Sequence, residues 1–352
     1  MTADHLLRLA EESLNGFKRQ SVTAAIFLDA EAAFDKCWHD GIRYKLIEQF
    51  KLPPTIVSLL SSFLTNRTLA VFVGECKSHT IDLKAGTPQG SCLSPLLYIM
   101  YVNDIEIDGD KGSLSQFADD IGIWSIGKTY KEATDKLQHS VNRVVTWCNR
   151  WKVTMNSQKS QFLLITKKRK KPTTDIKIKM YGVEIFPADE AKFLGLTFDG
   201  KLRFKTHFTK MEAKANRRLN VLRALSNRNI KKEVMLKLYK TYILPIFEYG
   251  SIAFLNVARV SSTVKILQSI QNKAIRLALK IPSYVSTKVI HEAAAMPYLY
   301  ERLIDLNSKL LSKMDQNNPL IRDLISNMQD VRNAKSYYLG PLDVLRPRMG
   351  KN

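Results

Sequence analysis

The chain has 352 residues, 45% of them hydrophobic and 25% charged, and its 54 Lys and Arg against 33 Asp and Glu leave a formal net charge of +21. That composition excludes a disordered chain, and no stretch reaches the roughly 18 consecutive apolar residues of a membrane span. The positive excess favours a polyanionic partner, nucleic acid above all; the basic residues are spread along the chain instead of lying on one amphipathic helix, which argues against a membrane.

Length allows two or three cores of roughly 100 to 200 residues each. Cys37, Cys76, Cys92 and Cys148 form no Cys-x-x-Cys set and read as free thiols. The segment Met1 to Arg8 lacks the apolar centre of a secretory signal, so the expected location is intracellular, in nucleus, cytoplasm or both.

Residues 4–18 have the spacing of an amphipathic helix, with Leu6, Leu7, Leu9 and Leu14 among charged residues. The run Ala24-Ala25-Ile26-Phe27-Leu28 then predicts a strand buried on both faces, ending in Asp29. Helical spacing follows from Ala32 to Phe50, broken locally at Gly41, and Pro53-Pro54 open a second helix reaching Leu64. Leu69–Val73 and Thr80–Leu83 read as paired strands around Gly74-Glu75, and Leu93–Val102 as a buried helix after a Pro- and Gly-rich link.

Leu114–Phe117 and Ile121–Ile126 predict a hairpin with Asp119-Asp120 at its tip. Thr129 and Glu132 form a capping box for a long helix whose stripe is Leu137, Val141, Val144 and Cys148. Strands are expected at Gln161–Thr166, Ile176–Tyr181 and Phe193–Phe198. From about Lys205 the chain turns almost wholly helical, which places a domain boundary there. The basic run Lys167–Lys171 reads as a solvated loop, with phosphate contact or a nuclear import signal as the other roles.

An Asp ending a buried strand costs several kcal/mol in desolvation unless paired or bound to a cation, and the adjacent Asp119 and Asp120 repel each other. Taken singly, each is a common turn or capping residue. Together they are hard oxygen donors suited to Mg2+, and three such carboxylates could hold two ions serving phosphoryl transfer. No Ser-His-Asp set and no His-Glu-x-x-His spacing competes with that chemistry.

The segments Ala25 to Asp35 (AIFLDAEAAFD), Gly86 to Pro95 (GTPQGSCLSP) and Phe117 to Asp120 (FADD) occur in an order and at intervals that resemble the reverse transcriptases of non-LTR (LINE-type) retrotransposons, nearest to the jockey-like branch. The resemblance extends through Trp38 to Gly41, Phe193 to Gly195 and Tyr242 to Tyr249, nearly the whole chain. It implies an α+β fold: a right-hand polymerase palm of mixed or antiparallel sheet and helices with partial fingers over 1–204, and a helical thumb-like domain over 205–352. The core motifs would lie at 24–35, 86–95, 117–120, 155–159 and 193–199.

The resemblance implies that Asp29, Asp119 and Asp120 bind metal, with Mg2+ expected and Mn2+ an alternative. Ala30 would offer a backbone contact beside the triphosphate. Phe34 would be the steric gate against a ribose 2′-hydroxyl; an ordinary core Phe fits its spacing equally. Gln89 and Gly90 would pack against nucleotide and template, although the same loop reads as a helix-opening turn. Lys159 would stand near the leaving pyrophosphate, and Phe193, Leu194 and Gly195 would form the primer grip. The implied partners are an RNA template, a DNA primer and deoxynucleoside triphosphates.

Compared with intact family members the chain is expected to be truncated at the N-terminus, lacking most of the fingers and the endonuclease. The leading function is thus an RNA-directed DNA polymerase of a retrotransposon. A catalytically inactive remnant that holds nucleic acid by charge and a metal-dependent nuclease are the rival readings.

Overall fold

The computed structural model describes residues 1–109, 111–168, 175–228, 230–260 and 262–326, together with 341, 342 and 345. In chain order the first elements are α1 (Thr2–Lys18), β1 (Val22–Asp29), α2 (His39–Glu48), α3 (Pro54–Leu64), β2 (Arg67–Leu69), β3 (Phe72–Val73), β4 (Cys76–Lys77), β5 (Ile81–Leu83) and α4 (Ser94–Val102). There follow β6 (Ser113–Phe117), β7 (Asp120–Gly127), α5 (Tyr130–Arg150), β8 (Gln161–Ile165), β9 (Ile178–Met180), β10 (Val183–Ile185), β11 (Pro187–Ala188), β12 (Glu190–Phe193) and β13 (Leu196–Asp199). The remainder is helical: α6 (Lys205–Ser226), α7 (Lys232–Leu238), a π-helical turn (Tyr239–Ile243), α8 (Leu244–Glu248), α9 (Ser251–Val260), α10 (Ser262–Leu279), α11 (Thr287–Ala294), α12 (Leu299–Asn317) and α13 (Pro319–Ser326).

The chain divides into two compact units, one made of residues 23–164 and 170–188, the other of 1–22, 165–169 and 189–352. The first is α+β, as expected. Its five-stranded sheet has the order β11-β8-β1-β7-β6, with β6 antiparallel to β7 and β11 parallel to β8. The mixed sheet follows from sequence: β1 is buried from Val22 to Leu28, so both its faces must be apolar and both its edges paired. Helix α5 packs on β7 and presents Leu137, Val141, Val144 and Cys148, all fully buried. The Thr129 hydroxyl accepts the Glu132 amide at 3.1 Å and the Glu132 carboxylate accepts the Lys128 amide at 2.8 Å, fixing the first turn.

Lys45 on α2 is fully buried, bonded to the Asp104 carboxylate and the Tyr101 carbonyl, with its ammonium 3.8 Å from the centre of the Trp151 ring. Asp104 also accepts from Gln49 at 2.6 Å and from the Trp147 indole at 2.9 Å. This cation, boxed by aromatic rings, ties α2 to α4 and α5.

The second unit is helical apart from the β12–β13 hairpin. Helix α6 packs on α10, and α1 packs on α9 and α13. Phe198, Phe204, Phe208 and Phe254 form an aromatic cluster with ring centroids 5.1 to 5.9 Å apart. That cluster takes in the hairpin, and residues from Asp189 onward belong to this unit.

Three local expectations are corrected. Residues 31–36 are turns and the helix begins only at His39, because Ala32 takes a left-handed φ of 49° and ends any helical run there, and the helix then runs through Gly41 without the expected break. Phe193–Phe198 is no single strand, since Leu194 (φ 44°) and Gly195 (φ 79°) reverse the chain between β12 and β13. Helix α4 is one-sided, with Leu97 and Tyr101 buried but Leu96 and Ile99 half exposed. Of the basic run, Lys167 lies over the Phe17 ring and bonds the Lys201 carbonyl, while 169–171 lie outside the described residues. Cys37, Cys76, Cys92 and Cys148 are free, and burial pushes the thiols of Cys37 and Cys148 up to about 12. No helix among the described residues is long and apolar enough to cross a membrane.

Candidate active site

The carboxylate of Asp29 ends β1, next to β7 in the sheet, and Asp120 begins β7. The backbone of Asp29 is pinned from the other side. Its carbonyl accepts the Asn156 amide at 2.7 Å, Ala30 bridges Met155 antiparallel, and the Glu31 amide donates to the Thr154 carbonyl at 2.8 Å. The Asn156 side-chain oxygen in turn accepts the amides of Gln158 and Lys159 at 3.0 and 3.1 Å. That cap aims Lys159 back toward Asp29, whose Oδ2 is 3.9 Å from the ammonium.

The Asp119-Asp120 pair is displaced by one residue from the expected tip. Phe117 pairs with Asp120, so the two-residue turn is Ala118-Asp119, with Ala118 at a left-handed φ of 54°. Non-glycine residues there carry about 1 kcal/mol of strain. The desolvation premise is also corrected: Asp119 and Asp120 are exposed and the Asp29 side chain retains 49% of its surface, so none of them bears the cost of a buried charge.

The loop after β1 and the Gly-rich loop clasp each other. Thr87 donates its amide to the Phe34 carbonyl and Gly86 donates to the Cys37 carbonyl, both at 2.8 Å. Gly86 has φ 90°, and a Cβ there would stand 2.7 Å from the Asp35 carbonyl oxygen, so only glycine permits the approach. His39 reaches the Gly86 carbonyl at 2.7 Å, and the exposed Gln89 donates to Asp35 Oδ1 at 2.8 Å. Gly90 is exposed at φ 86°, with open space around it.

Phe34 is half buried, its ring 4.8 Å from that of Tyr98. Burial, with the charge of Asp119 among the further causes, raises the Tyr98 hydroxyl well above its ordinary value. Sequence reasoning missed Tyr98, which lies in an apolar helical run with nothing in its spacing to mark it. It also missed Asp35 and Glu31. The Lys36 ammonium, donating at 2.7 Å, holds the Glu31 carboxyl below its usual range, and Lys159 adds to that effect.

Of the remaining candidates, Phe193 and Leu194 are buried in the helical unit and only Gly195 is exposed. The Tyr249 hydroxyl donates to the Leu194 carbonyl at 2.9 Å and so fixes this turn. Among the described residues no three His, Cys, Asp or Glu side chains are gathered into a ready metal cage. The three aspartates thus do not form a closed ligand set by themselves.

Residues 4–198 match the family described as reverse transcriptase (RNA-dependent DNA polymerase), and the chain belongs to that family. It is 29% identical over 343 residues to the probable RNA-directed DNA polymerase from transposon BS of Drosophila melanogaster, covering 95% of this chain and 37% of that protein. It is 28% identical over 334 residues to the RNA-directed DNA polymerase from mobile element jockey of the same fly, covering 92% and 36%. The chain therefore spans little more than a third of the length of these relatives. Among solved structures it is similar to telomerase from Candida tropicalis in complex with a fragment of telomeric RNA, at a TM-score of 0.42 and 14% identity over 93% of this chain and 52% of that one.

Proposed function

We propose that the chain adds deoxynucleotides to a primer 3′-hydroxyl under the direction of an RNA template, as the polymerase of a non-LTR retrotransposon. The observation that carries this reading is the Asp29–Asn156–Lys159 arrangement: one backbone bond fixes a strand-end carboxylate and one side-chain cap fixes a cation beside it. A carboxylate paired with an exposed ammonium can hold a cation when substrate is bound while the ammonium turns to the departing phosphates.

Asp29, Asp119 and Asp120 are the residues that would hold divalent metal. Their oxygens are hard donors open to solvent, and Mg2+ takes one or two carboxylates and completes its shell with water and substrate phosphates. Bound there, Mg2+ or Mn2+ would supply charge neutralisation at the transferred phosphate and a lowered pKa for the attacking hydroxyl.

The chain's own groups divide the remaining work. Ala30 offers a backbone contact next to Asp29, and Phe34, braced by Tyr98, presents a ring against the sugar. Gln89 and Gly90 present an exposed, glycine-permissive surface to nucleotide and template. In the primer grip the exposed contact would be the Gly195 backbone, with Phe193 and Leu194 serving as its buried footing.

The test is extension of a labelled DNA primer on an RNA template with deoxynucleotides and Mg2+. The expected result is template-dependent elongation by the wild-type chain and none by Asp119→Asn, with template affinity unchanged. Elongation by that variant at the wild-type rate would remove the assignment. Shortening of the primer without triphosphates would favour a nuclease, and binding without elongation an inactive remnant.

A further inference from the structure

Helix α6 carries Lys210, Lys214 and Arg218 at four-residue intervals, which puts three cations on one helical face. The ladder climbs about 12 Å from the first to the last. Like charges so placed repel, and no Asp or Glu is among the described residues lining the cavity of about 510 Å³ that they face. Lys192 from β12 adds a fourth cation to its wall.

The cavity is built on both sides of this ladder. Lys210 donates to the Thr197 hydroxyl at 3.1 Å, and Arg218 stacks 4.4 Å from the centre of the Tyr242 ring while donating to the Tyr242 carbonyl. That carbonyl belongs to the π-helical turn Tyr239–Ile243. The lining also includes the apolar Ile246 and the half-exposed Tyr249. Gly195 leaves the edge of that ring open, since a Cβ would stand 3.1 Å from it.

His207 is among the lining residues and is 7% exposed. Its Nδ1 accepts the Thr197 amide at 3.4 Å, which leaves Nε2 as the protonated nitrogen, and Nε2 has no partner. Burial keeps this ring neutral, so it adds no further charge beside the ladder.

We propose that this cavity binds one nucleotide unit, with its phosphates on the α6 cations and its base against Tyr249. The volume is that of a small-molecule site, and a lining that combines four cations with an aromatic ring suits a ligand that is anionic at one end and flat at the other. A free nucleoside triphosphate and the end of a single strand share this chemistry. The inference goes beyond the polymerase reading and does not require catalysis.

The experiment measures fluorescence anisotropy of labelled ATP and of a labelled, 5′-phosphorylated eight-nucleotide DNA strand, with the chain carrying Asp119→Asn so that no extension intervenes. Lys210→Gln/Lys214→Gln is compared with Lys231→Gln/Lys232→Gln, which removes the same charge from the same helical unit away from the cavity, and thermal melting verifies that both variants fold. The expected result is a loss of at least tenfold in affinity for the first pair and less than twofold for the second. For the strand, the slope of log affinity against log salt should become shallower by about 1.4. A tenfold loss with ATP assigns a free nucleotide, and a loss confined to the strand assigns a strand end. Equal losses in the two lysine pairs, no loss in either, or no binding of either probe overturns the proposal.

Discussion

The ammonium of Lys159 stands 3.9 Å from Oδ2 of Asp29, across 130 positions of sequence, because the amide of Asn156 is bonded to the carbonyl of Asp29 itself. Both side chains are largely exposed, so the pair contributes little to folding. Its use is positional.

Lys159→Ala should therefore leave the melting temperature within a degree or two and lower the extension rate by about a hundredfold, the scale of a lost proton donor or charge-stabilising group. Single-turnover primer extension beside a melting curve checks it. A variant with the wild-type rate would make Lys159 an ordinary surface residue.

Phe34→Val should relax sugar selection. The half-buried ring is backed by Tyr98 at 4.8 Å and cannot swing inward without displacing it. Removing its bulk should lower the preference for deoxynucleotides over ribonucleotides by about tenfold or more. Competing incorporation of the two nucleotide types measures the ratio, and an unchanged ratio would make Phe34 a packing residue only.

Lys45→Met keeps the volume of a fully buried side chain but removes the cation that Asp104 faces. Asp104 keeps the Gln49 and Trp147 donors, which holds the expected loss of stability near the lower end for a broken buried pair, about 3 kcal/mol. Urea denaturation of both proteins gives the difference. A loss below 1 kcal/mol would show that the aromatic box is satisfied without its ammonium.

Burial, with Lys210 adding to it, lowers the His207 ring from 6.5 to about 4. The unfolded chain takes up a proton near 6.5 while the folded chain does not, so stability is lost as pH falls from about 6.5 toward 4. Burial lowers His5 to about 4 as well, and it should act over the same window. His207→Gln retains an acceptor for the Thr197 amide but no titrating group, and it should flatten this part of the stability profile. Thermal melts between pH 7 and 4.5 test it; an unaltered slope would assign the effect elsewhere.

Sequence made the rigid parts of the fold legible. The apolar run of β1 could only be a strand covered on both faces, and the Thr129 cap marked the start of α5 to the residue. The spacing of the FADD segment gave the hairpin, but not that Asp120 would already be in the strand. What stayed hidden depends on single backbone angles. Ala32 and Ala118 adopt left-handed conformations that nothing in an alanine announces, and each redirects the chain beside a candidate carboxylate. The clasp of Gly86 and Thr87 onto residues 34–37 was equally invisible, since it joins segments some fifty positions apart through backbone atoms common to every residue.

Helix α1 packs on α9 and α13, elements more than two hundred residues further along. A ribosome working at about 5 to 20 residues per second needs tens of seconds to deliver those partners after α1 has emerged. Throughout that interval the apolar face of Leu6, Leu7, Leu9 and Leu14 lacks the surface it will finally cover. The helical unit thus closes only after the segments of the α+β unit, residues 23–164 and 170–188, have been made.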